Sequence, residues 1–415
     1  MVEMKKFAIE KFTASNGLRC LVQQFPGAAS VGAALYLTGG SRIETETNQG
    51  IGYLTQKVLL KGSRAKSWHE ITEELELLGA ELKSSSDKDY FNASFKILGK
   101  NLERGLALMA ESLLEPEFPE REVELERNNL LAEIEKHKDE TIKYASELCD
   151  RLVFDRHPYR FFLRGEKETV CQLNRADLIE HHRKAFHPEN MVLSLSGDLN
   201  PEQAKKWAEQ YFGAFKGKGK ASIAKGNPVH LPKATLKLEE IREKEQLALV
   251  IGYPAPAYPS EEFIQFLMLN YALSGMGARF FIELREKLGL AYMVHTLYQP
   301  YQLGGVFKLL LGTEPKNLEL ASQRGLEEIR QVAEKGVTLK ELQLGRRYYL
   351  GLLEIEKQKN LFHAERSAFY ELIGLGHDFL EKLAGLVKHV TLEQINQMGK
   401  KYFSYPCSLS LVLPK

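Results

Sequence analysis

The residue types that most often perform chemistry are poorly grouped in this chain. Eleven histidines are present, but no two stand three or four apart, so no helical turn offers the paired imidazoles of a zinc site. His181 and His182 are neighbours and point to different sides of a helix. Cys20, Cys149, Cys171 and Cys407 are spaced for neither a zinc nor a redox motif and read as free thiols of a reducing compartment. One stretch gathers polar groups on a helix. In Gly50–Gly62, Ile51, Leu54, Thr55, Val58 and Leu59 recur at i, i+3, i+4, i+7 and i+8 and form a buried face. Tyr53 and Lys57 lie four apart on a second stripe with Gln56 beside them. An ammonium has no lone pair for a metal, and an amide cannot take a proton from water.

The elements that carry these residues repeat. Leu173–Phe186, with an apolar run at Met191–Leu195 after it, matches Val390–Phe403 with Leu409–Leu413 after it, at an offset of 217. Each reads as a capped amphipathic helix leading into a buried strand. Phe118–Val123 matches Val337–Leu342 at an offset of 219, and Leu78–Leu82 matches Leu288–Tyr292 at 210. Near-equal offsets in one order imply two homologous domains, since the period is far too long for a solenoid. Apolar runs at Val31–Leu37, Tyr90–Ile97, Leu247–Tyr253 and Val306–Leu311 alternate with helical stretches, so each half is α+β, a sheet packed with helices. The Gly- and Lys-rich segment from Gly213 predicts a linker over 213–235 between domains 1–212 and 236–415.

Composition narrows the function classes. The 415 residues are 44% hydrophobic and 27% charged, which excludes a disordered chain or a coiled coil. A net charge of +1 argues against a dedicated nucleic-acid binder. No run of eighteen apolar residues exists, so no membrane span is expected, and the N-terminal residues lack the apolar core of a signal peptide.

The helical segment Gly50–Gly62 resembles the zinc-site helix of the insulinase and pitrilysin-like metallopeptidases, the group of the mitochondrial processing peptidase. Gly50, Leu54, Lys61, Gly62 and Ser63 match the flanking positions. Leu114–Glu120, His157-Pro158 with Gly165, Asn190–Leu193 with Gly197-Asp198, and above all Gly277–Tyr292 also resemble landmarks of that family, so the likeness spans nearly the whole chain. It implies two copies of the processing-peptidase metallohydrolase fold, with an antiparallel-rich sheet in each. In the family motif His-x-x-Glu-His, two histidines bind zinc and the glutamate is the general base. Here Tyr53 replaces the first His, Gln56 the base and Lys57 the second His. Glu133 matches the third ligand, 76 residues after Lys57, and Glu126 a second acidic residue of that helix. The resemblance therefore implies a degenerate site with no metal or cofactor in this chain. Lys57 is expected to stand within about 4 Å of Glu126 or Glu133, where an ammonium removes the repulsion of facing carboxylates.

Arg285 and Tyr292 match an arginine and a tyrosine that family members use to hold the substrate backbone from the non-catalytic half. Gly289 is expected to end the helix between them. The chain is thus expected to be inactive alone and to act as the non-catalytic subunit of a heterodimeric zinc peptidase in the cytoplasm. Its partners would be a homologous chain with an intact His-x-x-Glu-His that carries the zinc, and a peptide substrate. The alternative is a structural or assembly protein of the same fold, like the core subunits of the cytochrome bc complex. An active enzyme with an unusual metal would need ligands the sequence does not offer. Monomer and homodimer stay open for the isolated chain.

Overall fold

A computed structural model describes residues 8–217, 229, 231–243 and 246–415. Of the linker expected over 213–235, residues 218–228 and 230 lie outside the described residues.

The first sheet holds β1 (Ile9–Thr13), β2 (Arg19–Gln24), β3 (Ser30–Thr38), β4 (Lys83–Ser86), β5 (Tyr90–Leu98) and β6 (Met191–Gly197). Their spatial order is β1-β2-β6-β3-β5-β4. Only β2 and β6 run parallel; the other neighbours are antiparallel. The second sheet holds β7 (Leu236–Arg242), β8 (Leu247–Ala255), β9 (Met293–Tyr301), β10 (Gly304–Thr313) and β11 (Ser408–Pro414), in the order β7-β11-β8-β10-β9. Here too one pair, β7 with β11, is parallel. Five strands of each sheet therefore correspond in order and direction, and the duplication read from sequence offsets is a duplication of topology. The matched helices start alike. Asn174 and Thr391, 217 residues apart, each cap a helix, Arg175–Ala185 and Leu392–Tyr402, and each closes a capping box with the residue three further on.

Compactness does not follow the contiguous halves. One unit comprises Met1–Ala132, Leu163–Lys225 and Ile355–Lys382, and the other comprises Glu133–Phe162, Gly226–Glu354 and Leu383–Lys415. Each sheet is thus covered by a helix from the other half of the sequence. In the first unit the helix Asn360–Leu372 packs on β3 and β6, with Ala364, Ala368 and Leu372 against Leu21, Ala34 and Val192. In the second, the helix Thr141–Val153 packs on β8, β10 and β11, with Tyr144, Leu148 and Cys149 against Ala248, Val250, Leu310 and Val412. Each large apolar side chain buried this way contributes roughly 1.5–3 kcal/mol. Both contacts need a glycine. A Cβ on Gly32 of β3 would sit 2.4 Å from the Leu361 Cα, and one on Gly252 of β8 would sit 2.2 Å from the Cys149 Sγ.

Candidate functional site

The helix α1 (Ile51–Leu59) buries Ile51, Leu54, Thr55, Val58 and Leu59, the face expected from its periodicity. It lies beside β4, the edge strand of its sheet, and beside the helix Arg175–Ala185. Its N-cap is Gly50 in the left-handed region (φ 87°), so no cap side chain is present. Glu44 supplies one from six residues upstream. Its carboxylate accepts from the Gly50 N–H at 2.8 Å and from the Gly52 N–H at 3.0 Å. Burial pushes the Glu44 carboxyl up to about 8, against the opposing pull of the two amides and of Lys88.

Tyr53, Gln56 and Lys57 are each engaged. Gln56 donates to the Ser84 carbonyl at 3.0 Å and to its hydroxyl at 2.9 Å, which ties α1 to the edge strand β4. The Tyr53 ring has the Arg164 guanidinium 5.6 Å and the Lys57 Nζ 5.7 Å from its centroid, both within cation–π range. Lys57 Nζ stands 3.9 Å from Glu126 Oε2, a carboxylate buried on the helix Glu120–His137. The same carboxylate takes a closer cation that the sequence reading did not single out: Lys61 Nζ lies 2.9 Å from Glu126 Oε1. Lys61 stands two residues past the end of α1, and the basic residue four beyond Lys57 was the available signal. Glu133 lies two turns further along the same helix, in the part assigned to the other compact unit, and is half-buried.

These donors do not fit zinc. A buried carboxylate held between two ammonium groups is already neutralised, and a divalent cation there would face two like charges with no imidazole to bind it. Among the described residues, no group of three or more His, Cys, Asp or Glu side chains is arranged to hold a metal ion.

Arg285 and Tyr292 lie in the second unit. Arg285 sits in a single wide turn of π-helix, Ile282–Lys287, and its guanidinium donates to the Tyr292 carbonyl and lies 5.1 Å from the Phe281 ring centroid. Gly289, with φ 60°, follows the helix, and β9 begins at Met293, one residue after Tyr292. The Tyr292 ring lies over Gly312, where a Cβ would come within 2.6 Å of it, and its hydroxyl donates to Gln246 at 3.3 Å. Both side chains are exposed, Tyr292 to 43%.

The family model described as insulinase (peptidase family M16) matches residues 19–159, and the one described as peptidase M16 inactive domain matches 172–349. The chain belongs to the insulinase, or M16, peptidase family. The inactive-domain match falls on residues 172–349, so the state of the first-half site rests on Tyr53, Gln56 and Lys57 themselves. Similar proteins include an uncharacterized zinc protease, YmxG, of Bacillus subtilis, 26% identical over 407 residues and covering 98% of both chains. Another is an uncharacterized zinc protease of Rickettsia bellii, 25% identical over 402 residues and covering 96% of each. Among solved structures, the peptidase M16 inactive domain from Pseudomonas fluorescens matches with a TM-score of 0.90 and 25% identity over 98% of both chains. A protease from Helicobacter pylori shares the fold, with a TM-score of 0.91 at 18% identity over 98% of this chain and 100% of that one. No helix among the described residues is long and apolar enough to cross a membrane.

Proposed function

We propose that this chain is the non-catalytic subunit of a two-chain insulinase-family peptidase. The observation that carries the reading is the ion cluster of Lys57, Glu126 and Lys61, two of whose members, Lys57 and Glu126, match in sequence the motif residues of the family's zinc site. A catalytic homologue with an intact His-x-x-Glu-His supplies the zinc, the base and the activated water. This chain closes the chamber and presents Arg285 and Tyr292 to the peptide. A guanidinium is a fork of five N–H donors suited to backbone carbonyls, and an exposed phenol donates to a developing oxyanion. The buried, unpaired thiols of Cys20, Cys149 and Cys407 support a reducing, cytoplasmic setting.

The test is reconstitution. The purified chain alone should hold no stoichiometric zinc and cleave no peptide. Mixed with the catalytic homologue, it should raise peptide turnover. Arg285→Ala or Tyr292→Phe in this chain should lower that turnover up to about a hundredfold, the usual worth of one transition-state donor. Both variants should co-purify with the partner at wild-type yield. Wild-type turnover from both variants would leave the chain a lid or an assembly protein of this fold, and zinc bound within the first unit would overturn the reading altogether.

A further inference from the structure

The loop Gly62–Ser67 leaves α1 and turns into the helix α2 (Trp68–Leu77) over a cavity of about 410 Å³, whose other wall is the segment Glu117–Glu122. The loop is held rigidly. Ser63 N–H donates to the Lys66 carbonyl at 2.8 Å, Arg64 N–H to the Glu115 carbonyl at 3.2 Å, and Glu117 N–H to the Gly62 carbonyl at 3.0 Å. The Ser63 hydroxyl donates to Glu111 at 2.6 Å and accepts from the Lys66 N–H at 3.0 Å. Such a loop presents its side chains in fixed positions, and the volume suits a small ligand.

The charges around the cavity are unequal in what they do. Lys61 is spent on Glu126 at 2.9 Å, Lys66 on Glu74 at 2.8 Å, and Glu117 faces Arg175 at 3.5 Å. Arg64 and Arg121 line the cavity too, and neither guanidinium has a hydrogen-bond or ion-pair partner among the described residues. The remaining lining charge is Glu122. Two open guanidinium groups against one carboxylate leave a single uncompensated positive charge. Beside them stands Trp68, 38% exposed, with the Lys61 Nζ 4.8 Å from its ring centroid and the His69 ring 4.7 Å away. Two open arginines, Arg64 on the hydrogen-bonded loop and Arg121 on the helix of the opposite wall, lining one cavity with an indole, are the elements of a planar-anion site.

We propose that this cavity is a subsite for a single carboxylate on a small organic molecule or short peptide. The planar carboxylate matches the guanidinium fork, and the apolar body of the ligand lies against Trp68. Glu122 sets the charge: a monoanion balances the site, whereas a phosphate dianion meets a carboxylate at the rim. The subsite does not depend on the partner chain, so its test is separable from reconstitution.

The test uses the full chain and its tryptophan fluorescence. Trp68 and Trp207 are the two tryptophans present. N-acetyl-alanyl-alanine should change the emission saturably, and N-acetyl-alanyl-alaninamide should not. N-acetyl-glutamic acid α-amide, tried alongside, tells whether a side-chain carboxylate serves as well as a terminal one. Arg64→Gln and Arg121→Gln should each weaken binding about tenfold, since a hydrogen bond to a charged group is lost. Trp68→Phe should abolish the signal while isothermal calorimetry still detects the ligand. Both arginines are exposed, so neither change threatens folding. Equal response to the acid and the amide, wild-type affinity in the double Arg variant, a signal that survives in Trp68→Phe, or inorganic phosphate binding as tightly as the carboxylates would each overturn the assignment.

Discussion

The two compact units are copies with one scaffold and differently placed charges. In the first, Glu126 reaches from the helix Glu120–His137 to Lys57 and Lys61 at α1. At the offset of 219 that relates this helix to Leu339–Glu356, the corresponding residue is Gly345 (126 + 219 = 345). A Cβ there would lie 2.6 Å from the Ala272 nitrogen and from the Tyr271 carbonyl atoms, so Leu339–Glu356 meets the helix Glu262–Leu273 backbone to backbone. One copy therefore sets paired charged side chains between these elements, and the other brings the backbones themselves together. The reverse holds at the covering helices. Gly32 pairs with Lys96 and Ser196 across its sheet, and Gly252 pairs with Lys308 and Ser408. Lys96 is exposed, whereas Lys308 is 1% exposed and lies 2.7 Å from Asp150, with Ser146 and Gln299 each 3.0 Å from its nitrogen. Duplication preserved the strands and their glycines. Buried charge stands beside α1 in one copy and under the covering helix in the other.

The largest effect is expected where a charge is most deeply buried. Asp150→Ala leaves the Lys308 ammonium without its counter-charge in a low-dielectric core, and should cost about 3–5 kcal/mol in unfolding free energy from denaturant titration. Asp150→Leu combined with Lys308→Met removes both charges and should recover most of that loss. Lys96→Met, at the matching position of the first unit, should stay within about 0.5 kcal/mol of wild type. Equal costs for Asp150→Ala and Lys96→Met would dissolve the distinction between the two units.

A smaller effect tests the backbone contact. Gly345→Ala must push the Cβ into backbone atoms at 2.6 Å, which cannot turn aside as a side chain would. Overpacking of this kind costs about 1–3 kcal/mol. Glu126→Ala at the corresponding place in the first unit has room for its methyl group and instead releases Lys57 and Lys61 to solvent. Both lysines are already partly exposed, so about 1 kcal/mol is expected from the lost pairing. A cost for Gly345→Ala below that of Glu126→Ala would mean that the helices of the second unit can move apart.

Much of this was legible from residue spacing. The offset of 217 located the two capped helices and the strands β6 and β11, apolar runs located β3, β5, β8 and β10, and helical periodicity located the buried face of α1, because such patterns report which face is covered. It does not report what covers it. The helices Thr141–Val153 and Asn360–Leu372 carry an ordinary amphipathic pattern, and nothing in that pattern tells that each lies on the sheet of the other half. The edge strand β4 reads Lys-Ser-Ser-Ser and has no apolar alternation, since its register is set by β5 and its outer side faces no strand. At the candidate site, Tyr53, Gln56 and Lys57 were picked out by their departure from the family motif. The Gln56 bond to Ser84 and the second cation on Glu126 depend on tertiary placement.

The last effect, a change with pH, concerns how the corresponding helices begin. In the second unit the helix Glu262–Leu273 starts without any side-chain cap, whereas α1 is capped by the distant carboxylate of Glu44. Two influences act on that carboxylate in opposite directions. The amides of Gly50 and Gly52 at the positive end of a helix favour the ionised form, and burial favours the neutral one. Burial is the larger, and it raises the folded-state value from 4.5 to about 8. The folded protein then binds a proton that the unfolded chain releases. The resulting stabilisation is complete below about pH 4.5 and is lost as the pH rises through about 8. Glu44→Gln holds the neutral form permanently and keeps one acceptor oxygen. The wild type should therefore lose stability relative to Glu44→Gln between pH 5.5 and pH 8, with a slope no steeper than about 1.4 kcal/mol per pH unit. Above pH 8 the difference should level off. Urea titrations of both proteins across that range decide the matter. If the wild type instead gains on the variant as the pH rises, the two amides outweigh burial, and α1 is anchored at neutral pH by an ionised cap that the second unit lacks.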